Sequence, residues 1–222
     1  MRATSSHWLL MCVLACVANQ ATAAVPPAPK LPADAYFLMD ATTGQVLVDH
    51  NGDLSLPPAS LTKIMTSYVL AEEVDAGRAS LDDMIKVSRN AWSQNPTFKG
   101  SSLMWIEPGK PVSLADLERG VVISSGNDAS VAVAEHLAGT ESSFVDVMNQ
   151  LAAELGLDNT VYRNPHGLPH PEHRTTARDL ATLSVALING HPEHYKIYKE
   201  QSFTYNGIKQ YNRKSLLRSD AT

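Results

Sequence analysis

Strand signals open and close the patterned part of this chain, with helical periodicity between them, and that order limits the fold more than any single motif does. Ala35-Tyr36-Phe37-Leu38-Met39 and Gln45-Val46-Leu47-Val48 are apolar, β-prone runs joined by the polar loop Asp40 to Gly44, which predicts a hairpin. Leu61, Ile64, Met65, Tyr68 and Val69 then recur at helical spacing, and Gly77 can end that helix. Ser113-Leu114-Ala115-Asp116 is a capping box for a helix to about Ile123. After a break at Ser124-Ser125-Gly126-Asn127, Asp128 is placed to cap a helix running to Gly139. Phe144, Val147, Met148, Leu151 and Leu155 form another stripe ending at Gly156, and Thr176-x-x-Asp179 caps one more helix through Leu187. Phe203-Thr204-Tyr205 and Ile208-Lys209-Gln210 flank Asn206-Gly207, a strong hairpin signal. Strands, then helices, then strands predict an α+β fold, a helical cluster beside antiparallel strands. A sheet that restarts at 203–210 is expected to continue beyond those two strands.

The chain of 222 residues is 44% hydrophobic, enough for one substantial core. A net charge of -5 gives no electrostatic reason to expect a nucleic-acid partner. The N-terminus reads as a secretory signal peptide over residues 1–23. Arg2 is the only formal charge before Lys30, Trp8 to Val17 is an apolar run of ten, and Ala21-Thr22-Ala23 is a small-residue cleavage site. Ten residues are too few to span a bilayer as a helix. Competing readings are a buried N-terminal helix and a lipoprotein, the latter because Val13-Leu14-Ala15-Cys16 loosely resembles a lipobox. Cys12 and Cys16 are the only cysteines and leave with the signal, so the mature chain has no thiol chemistry. Residues 24–34 are rich in proline and alanine, a linker, and residues 35–222 form the remaining domain.

Ser60-Leu61-Thr62-Lys63 is the first chemical feature. A serine and a lysine three apart on a helix share one face, and a lysine with a lowered pKa can take the serine's proton. By itself the spacing is weak, since roughly one such match is expected by chance in a chain this long. The bland reading is a capping serine and a solvated lysine. The apolar neighbours Leu61, Ile64 and Met65 argue against it, because they would desolvate Lys63. Ser125-Gly126-Asn127 is the second feature. Of three Ser-x-Asn tripeptides it alone sits at a break between apolar helices, where a loop can aim two polar groups inward. His170-Pro171-Glu172-His173 and His191-Pro192-Glu193-His194 could each offer two zinc ligands, but a proline in each favours a solvated surface turn. His166, in Asn164-Pro165-His166-Gly167-Leu168, also reads as a turn residue.

With these residues in view, the chain resembles the low-molecular-mass penicillin-binding proteins of the D-alanyl-D-alanine carboxypeptidase family, peptidase S11. The resemblance runs from about Ala35 to the end. It rests on Pro58-Ala59-Ser60-Leu61-Thr62-Lys63, Gln94-Asn95-Pro96, Phe98-Lys99-Gly100-Ser101-Ser102-Leu103-Met104 and Ser125-Gly126-Asn127-Asp128-Ala129. His166-Gly167-Leu168, Ala177-Arg178-Asp179-Leu180 and Phe203-Thr204-Tyr205-Asn206-Gly207-Ile208 complete it. The resemblance implies a β-lactamase/transpeptidase-like fold and a serine peptidase that removes the terminal D-alanine of peptidoglycan stem peptides. Ser60 would be the nucleophile, Lys63 its base, Ser125 a proton relay, Asn127 a substrate-binding group and His166 a supporting residue. β-Lactams would acylate the same serine. No cofactor or metal is implied, and the expected location is the periplasmic cell envelope.

The sequence also departs from the family. Neither Lys-Thr-Gly nor Lys-Ser-Gly occurs, although the family carries that triplet on an edge strand to hold the substrate carboxylate. Lys214 and Ser215 stand where the family usually has asparagine and glycine, and the family's C-terminal β-rich domain and membrane-anchoring helix are absent. The expectation is an incomplete catalytic domain. Alternatives are a D,D-endopeptidase of the same family and a non-catalytic wall-binding or decoy protein. A class A β-lactamase is disfavoured because no Glu-x-x-Leu-Asn run occurs. The signal-peptide reading predicts that exported protein begins at Ala24 or Val25 by intact-mass analysis. A diacylglyceryl mass on Cys16 would support the lipoprotein instead.

Overall fold

A computed structural model describes residues 28–215 and Leu217; the proposed signal peptide lies outside them. The chain divides into a short N-terminal unit ending at Pro32 and a main unit, Ala33–Thr222. In the main unit β1 (Tyr36–Met39) pairs antiparallel with β2 (Val46–His50), with an irregularity between Leu38 and Met39. A 3-10 turn, Ala59–Thr62, leads into α1 (Lys63–Asp75). β3 (Met84–Lys86) pairs with β4 (Pro111–Ser113), which runs straight into α2 (Leu114–Arg119). A π-helical turn, Gly120–Ser124, then α3 (Asn127–Ala138) and α4 (Glu141–Glu154) follow. After a long irregular segment come α5 (Ala177–Gly190), the single turn α6 (Pro192–Tyr195) and a hairpin of β5 (Ser202–Tyr205) with β6 (Ile208–Tyr211). The described strands thus form three separate antiparallel pairs.

The sequence patterns explain most of these boundaries. Ser113 Oγ accepts from Asp116 N–H at 3.1 Å, and Thr176 Oγ1 accepts from Asp179 N–H at 3.1 Å, as the capping boxes require. Asn206 and Gly207 both have positive φ, the two-residue turn that suits the strands' twist. The β3–β4 pair was not foreseen, because three-residue strands are too short to show alternation. The helix from Ser113 ends as an α-helix at Arg119 rather than near Ile123, and its last turn widens to π geometry.

α1 is the central element. Every residue from Met65 to Ala71 is buried, so its middle turns have no wet face. It packs on α3, α4 and α5. α3 is buried just as continuously from Asn127 to Ala134. The N-termini of these two buried helices carry the two serine-containing motifs.

Two backbone bridges then bring residues 160–175 beside α1. Leu56 pairs with Thr175, and Val161 pairs with Arg174. The turn at 164–168 seats Gly167 against the residue before Ser60: a Cβ at Gly167 would lie 1.8 Å from the carbonyl oxygen of Ala59. Gly167 also has φ +88°, a conformation that side chains disfavour. Gly167→Ala should therefore lose more than about 2 kcal/mol of stability in urea denaturation, from steric clash and backbone strain together. Unchanged stability would mean this approach is looser than it looks.

Candidate active site

Ser60 and Lys63 are one turn apart, and that turn is 3-10 rather than α-helical. With three residues per turn, side chains at i and i+3 eclipse, so the two groups are stacked more directly than an α-helix would place them. Ser60 is exposed, while Lys63 is only 5% accessible. Among the described residues no hydrogen bond engages Ser60 Oγ, including one to Lys63. As the second residue of the turn, Ser60 also has a backbone N–H with no intrahelical acceptor.

Lys63 Nζ donates to Asn127 Oδ1 at 2.7 Å and to the backbone carbonyl of His166 at 2.6 Å. Burial pulls its pKa from 10.5 down to about 7, and the positive charge of Arg213 adds to the effect while Asp128 opposes it. A neutral amine has two N–H bonds and one lone pair. The two acceptors take both N–H bonds, so the lone pair is left over for a proton from the serine side. The desolvating shell differs from the sequence expectation. Leu61 is 53% exposed and does not shield the amine. The shield comes from α1 itself, Asn127 and the 164–168 turn.

The turn that meets Lys63 is braced from both sides. Thr66 Oγ1 donates to the Pro165 carbonyl at 2.6 Å. Asn164 Oδ1 accepts from His166 N–H and Gly167 N–H, and Asn164 Nδ2 donates to the Leu168 carbonyl. The His166 ring packs edge-on to Phe98 and lies 3.6 Å from Glu141. The group of His166 that meets Lys63 is its backbone carbonyl rather than its ring.

Ser125 closes the π turn in a strained conformation. It has φ +57°, at the end of the π turn, and its buried Oγ has no hydrogen-bond partner among the described residues. The Gly120 carbonyl pins this bend by accepting from Ser124 Oγ, Ser125 N–H and Gly126 N–H. π turns and left-handed non-glycine residues both cost free energy and concentrate at functional sites.

Asp128 does not cap α3; Gly126 occupies the cap position. Its fully buried carboxylate instead accepts from the N–H groups of Met104, Trp105, Ile106 and Ala129. Burial pushes this carboxyl's pKa up against the pull of those four donors. The clamp fixes residues 102–106 along the site, and Ser102 carbonyl accepts Asn127 N–H at 2.9 Å. Ser102 Oγ accepts from Arg213, which brings a guanidinium to the same neighbourhood. Sequence reasoning did not single out Asp128 or Arg213 for these roles, because their partners are backbone groups and a hydroxyl far away in the chain.

The histidines expected to be solvated need correction. His170 is exposed, but His173, His191 and His194 are buried. His191 bonds to Asp75 and Glu72, and His194 bonds to Glu118, which raises the His194 pKa. Pro171 and Glu172 do form a turn, whereas Pro192 opens the short helix α6; in both places other elements cover the buried histidines, which sequence could not show.

Comparison with known proteins agrees with this geometry. Residues 19–222 match the sequence profile of the D-alanyl-D-alanine carboxypeptidases. The chain belongs to that family, peptidase S11. It is 50% identical over 191 residues to D-alanyl-D-alanine carboxypeptidase DacC of Escherichia coli, covering 86% of this chain and 48% of that protein. It is 32% identical over 170 residues to the D-alanyl-D-alanine endopeptidase of Escherichia coli, covering 77% of this chain and 52% of that one. The chain spans about half the length of the curated relatives it matches. Penicillin binding protein 6B from Escherichia coli superposes with a TM-score of 0.85 at 46% identity, over 88% of this chain and 62% of that one. Penicillin-Binding Protein D2 from Listeria monocytogenes, in its ampicillin-bound form, superposes at 0.73 and 29% identity, over 87% and 77%. The fold is that of the penicillin-binding proteins, α+β as expected.

The lowered lysine pKa has a measurable consequence. Acylation of Ser60 should rise with pH around a midpoint near 7, where Lys63 loses its proton. The same shift makes stability climb with pH between about 7 and 10.5, because only the unfolded chain's lysine stays protonated there. Lys63→Arg should be nearly inert, since a guanidinium stays charged. A pH-independent acylation rate would remove Lys63 as the base.

Proposed function

We infer that this protein is a serine D-alanyl-D-alanine carboxypeptidase acting on peptidoglycan stem peptides. The observation that carries the reading is the buried Lys63 amine, held by two acceptors one 3-10 turn from an exposed serine. Ser60 Oγ attacks the carbonyl between two terminal D-alanines as its proton passes to Lys63. The Ser60 N–H is placed to help stabilise the developing oxyanion. Collapse of the tetrahedral adduct breaks the peptide bond. The leaving amine takes a proton from the Lys63 and Ser125 pair, and free D-alanine departs. Water, activated by the same base, then hydrolyses the ester and regenerates Ser60. Asn127, already oriented by Lys63 and Ser102, is positioned to bind the peptide. A β-lactam amide presents the same kind of carbonyl and would stop at the acyl-enzyme. Residues 1–23 are proposed to direct export, which would put the site in the periplasm with its substrate.

Cleavage of cross-links rather than stem ends is the second reading, favoured by the likeness to an endopeptidase. The intact protein should form a covalent adduct with a fluorescent penicillin and release D-alanine from a pentapeptide. Ser60→Ala should abolish both, as removal of a nucleophile usually eliminates nearly all rate. Labelling that survives would end the assignment. Products from cross-linked muropeptides without D-alanine release from pentapeptides would select the endopeptidase.

A further inference from the structure

We propose that His173 and Thr62 are positioning residues for the reaction: a directed hydrogen-bond relay that holds the backbone turn carrying Ser60. The proposal rests on the reading of Ser60 as nucleophile.

The turn needs holding. Ala59, immediately before Ser60, has φ +47° without being a glycine. Such a conformation persists only where surroundings impose it. Its carbonyl is fixed from two directions. Gly167 abuts it, and Thr62 Oγ1 donates to it at 2.8 Å. A hydroxyl has one proton, so Thr62 must act as acceptor toward its other partner, His173 Nε2, also at 2.8 Å. The remaining ring nitrogen, His173 Nδ1, accepts from the Arg163 backbone N–H at 3.2 Å. Each direction therefore sets the next: Arg163 N–H to Nδ1, Nε2–H to Thr62, Thr62 O–H to the Ala59 carbonyl. Only the neutral ring with its proton on Nε2 completes the chain.

The surroundings keep the ring in that form. His173 is 2% exposed and packs edge-on to Tyr162 at 5.7 Å. Burial pulls its pKa down to about 4, and the neighbouring His166, His170 and Arg163 act in the same direction. The ring thus stays neutral wherever Lys63 can work as a base. The pairs Leu56–Thr175 and Val161–Arg174 anchor the chain on the residues just after His173, so the ring cannot drift from the turn it supports. Thr62 itself is fully buried and cannot touch substrate, so its hydroxyl has only this internal role.

Four substitutions separate this role from simple packing. Thr62→Val keeps the shape and removes the hydroxyl, whereas Thr62→Ser restores it. His173→Gln keeps a donor at the Nε2 position, whereas His173→Asn keeps the Nδ1-side acceptor for Arg163 and loses the donor. If His173 only braced its own loop, the asparagine variant would be the better tolerated. The relay predicts the reverse. In the intact protein, acylation by a fluorescent penicillin should slow on the order of 10- to 100-fold in Thr62→Val and His173→Asn, the scale of a displaced reactive group. Thr62→Ser and His173→Gln should stay within about 3-fold of the parent. Urea denaturation identifies variants that slow by unfolding, and ¹⁵N NMR of the His173 ring reads the tautomer without any ligand. Parent-like acylation in Thr62→Val and His173→Asn, or a ring protonated on Nδ1, overturns the relay while leaving Ser60 in place. Labelling that persists in Ser60→Ala overturns the nucleophile and the relay's purpose together.

Discussion

Everything at this site depends on one buried amine. Lys63 sits at the start of a helix whose middle turns have no wet face, and water is replaced there by two oxygen acceptors. Those acceptors belong to different parts of the chain, Asn127 at the start of α3 and the His166 carbonyl in the 164–168 turn. The lysine's two hydrogen bonds therefore serve the architecture and its own desolvation together. It joins three segments, and in doing so it is desolvated enough to lose its charge near neutral pH. A shift from 10.5 to about 7 corresponds to roughly 5 kcal/mol between the two protonation states. The protein carries that cost because a solvated lysine would stay protonated and could not accept from a serine.

The second motif solves a related problem. Asn127 meets Lys63 from the first residue of a helix buried from Asn127 to Ala134, and Ser125 lies two residues before it, outside that helix. The π turn and the left-handed Ser125 redirect the chain sharply, and Gly120 anchors the bend through its carbonyl. Asp128 then ties the bend to residues 104–106 through backbone N–H groups. A carboxylate with backbone donors at both oxygens is satisfied without a cation, so it can be buried one residue from Asn127 without adding a second basic group beside Lys63. Among the described residues, Arg213 is the positive charge that acts on that lysine, and it lowers the pKa.

Much of this was legible in the sequence, and the legible parts share a cause. Helical stripes, the capping boxes at Ser113 and Thr176 and the Asn206-Gly207 turn are local codes, read within a few residues, and they mark where these elements begin or turn better than where they end. Ser60, Lys63, Ser125 and Asn127 were singled out less by spacing, which is weak by itself, than by their places at the starts of apolar helices; the structure brings Lys63 and Asn127 into contact. What stayed hidden is long-range. Nothing near Asp128 shows that its carboxylate serves residues 24 to 22 positions earlier rather than its own helix. Nothing near His173, His191 or His194 shows that other elements bury them. Leu61 misled for the opposite reason: an apolar residue beside the motif was counted as cover, yet it lies on the open side of the 3-10 turn.

The narrower first turn links these observations. Had Ser60 and Lys63 begun a regular α-helix, their side chains would be offset by about 60° around the axis. Three-residue spacing removes that offset and points both toward the same opening. A 3-10 start entered through a left-handed alanine is an unfavourable local structure, so its source must lie outside the turn. The groups that meet the Ala59 carbonyl are Gly167 and Thr62, and the segment carrying Gly167 also provides the carbonyl that holds Lys63. The 164–168 turn thus acts on Ser60 and Lys63 at once, pressing on the backbone before one and hydrogen-bonding to the other. That shared support explains why this turn is braced as heavily as the helices beside it.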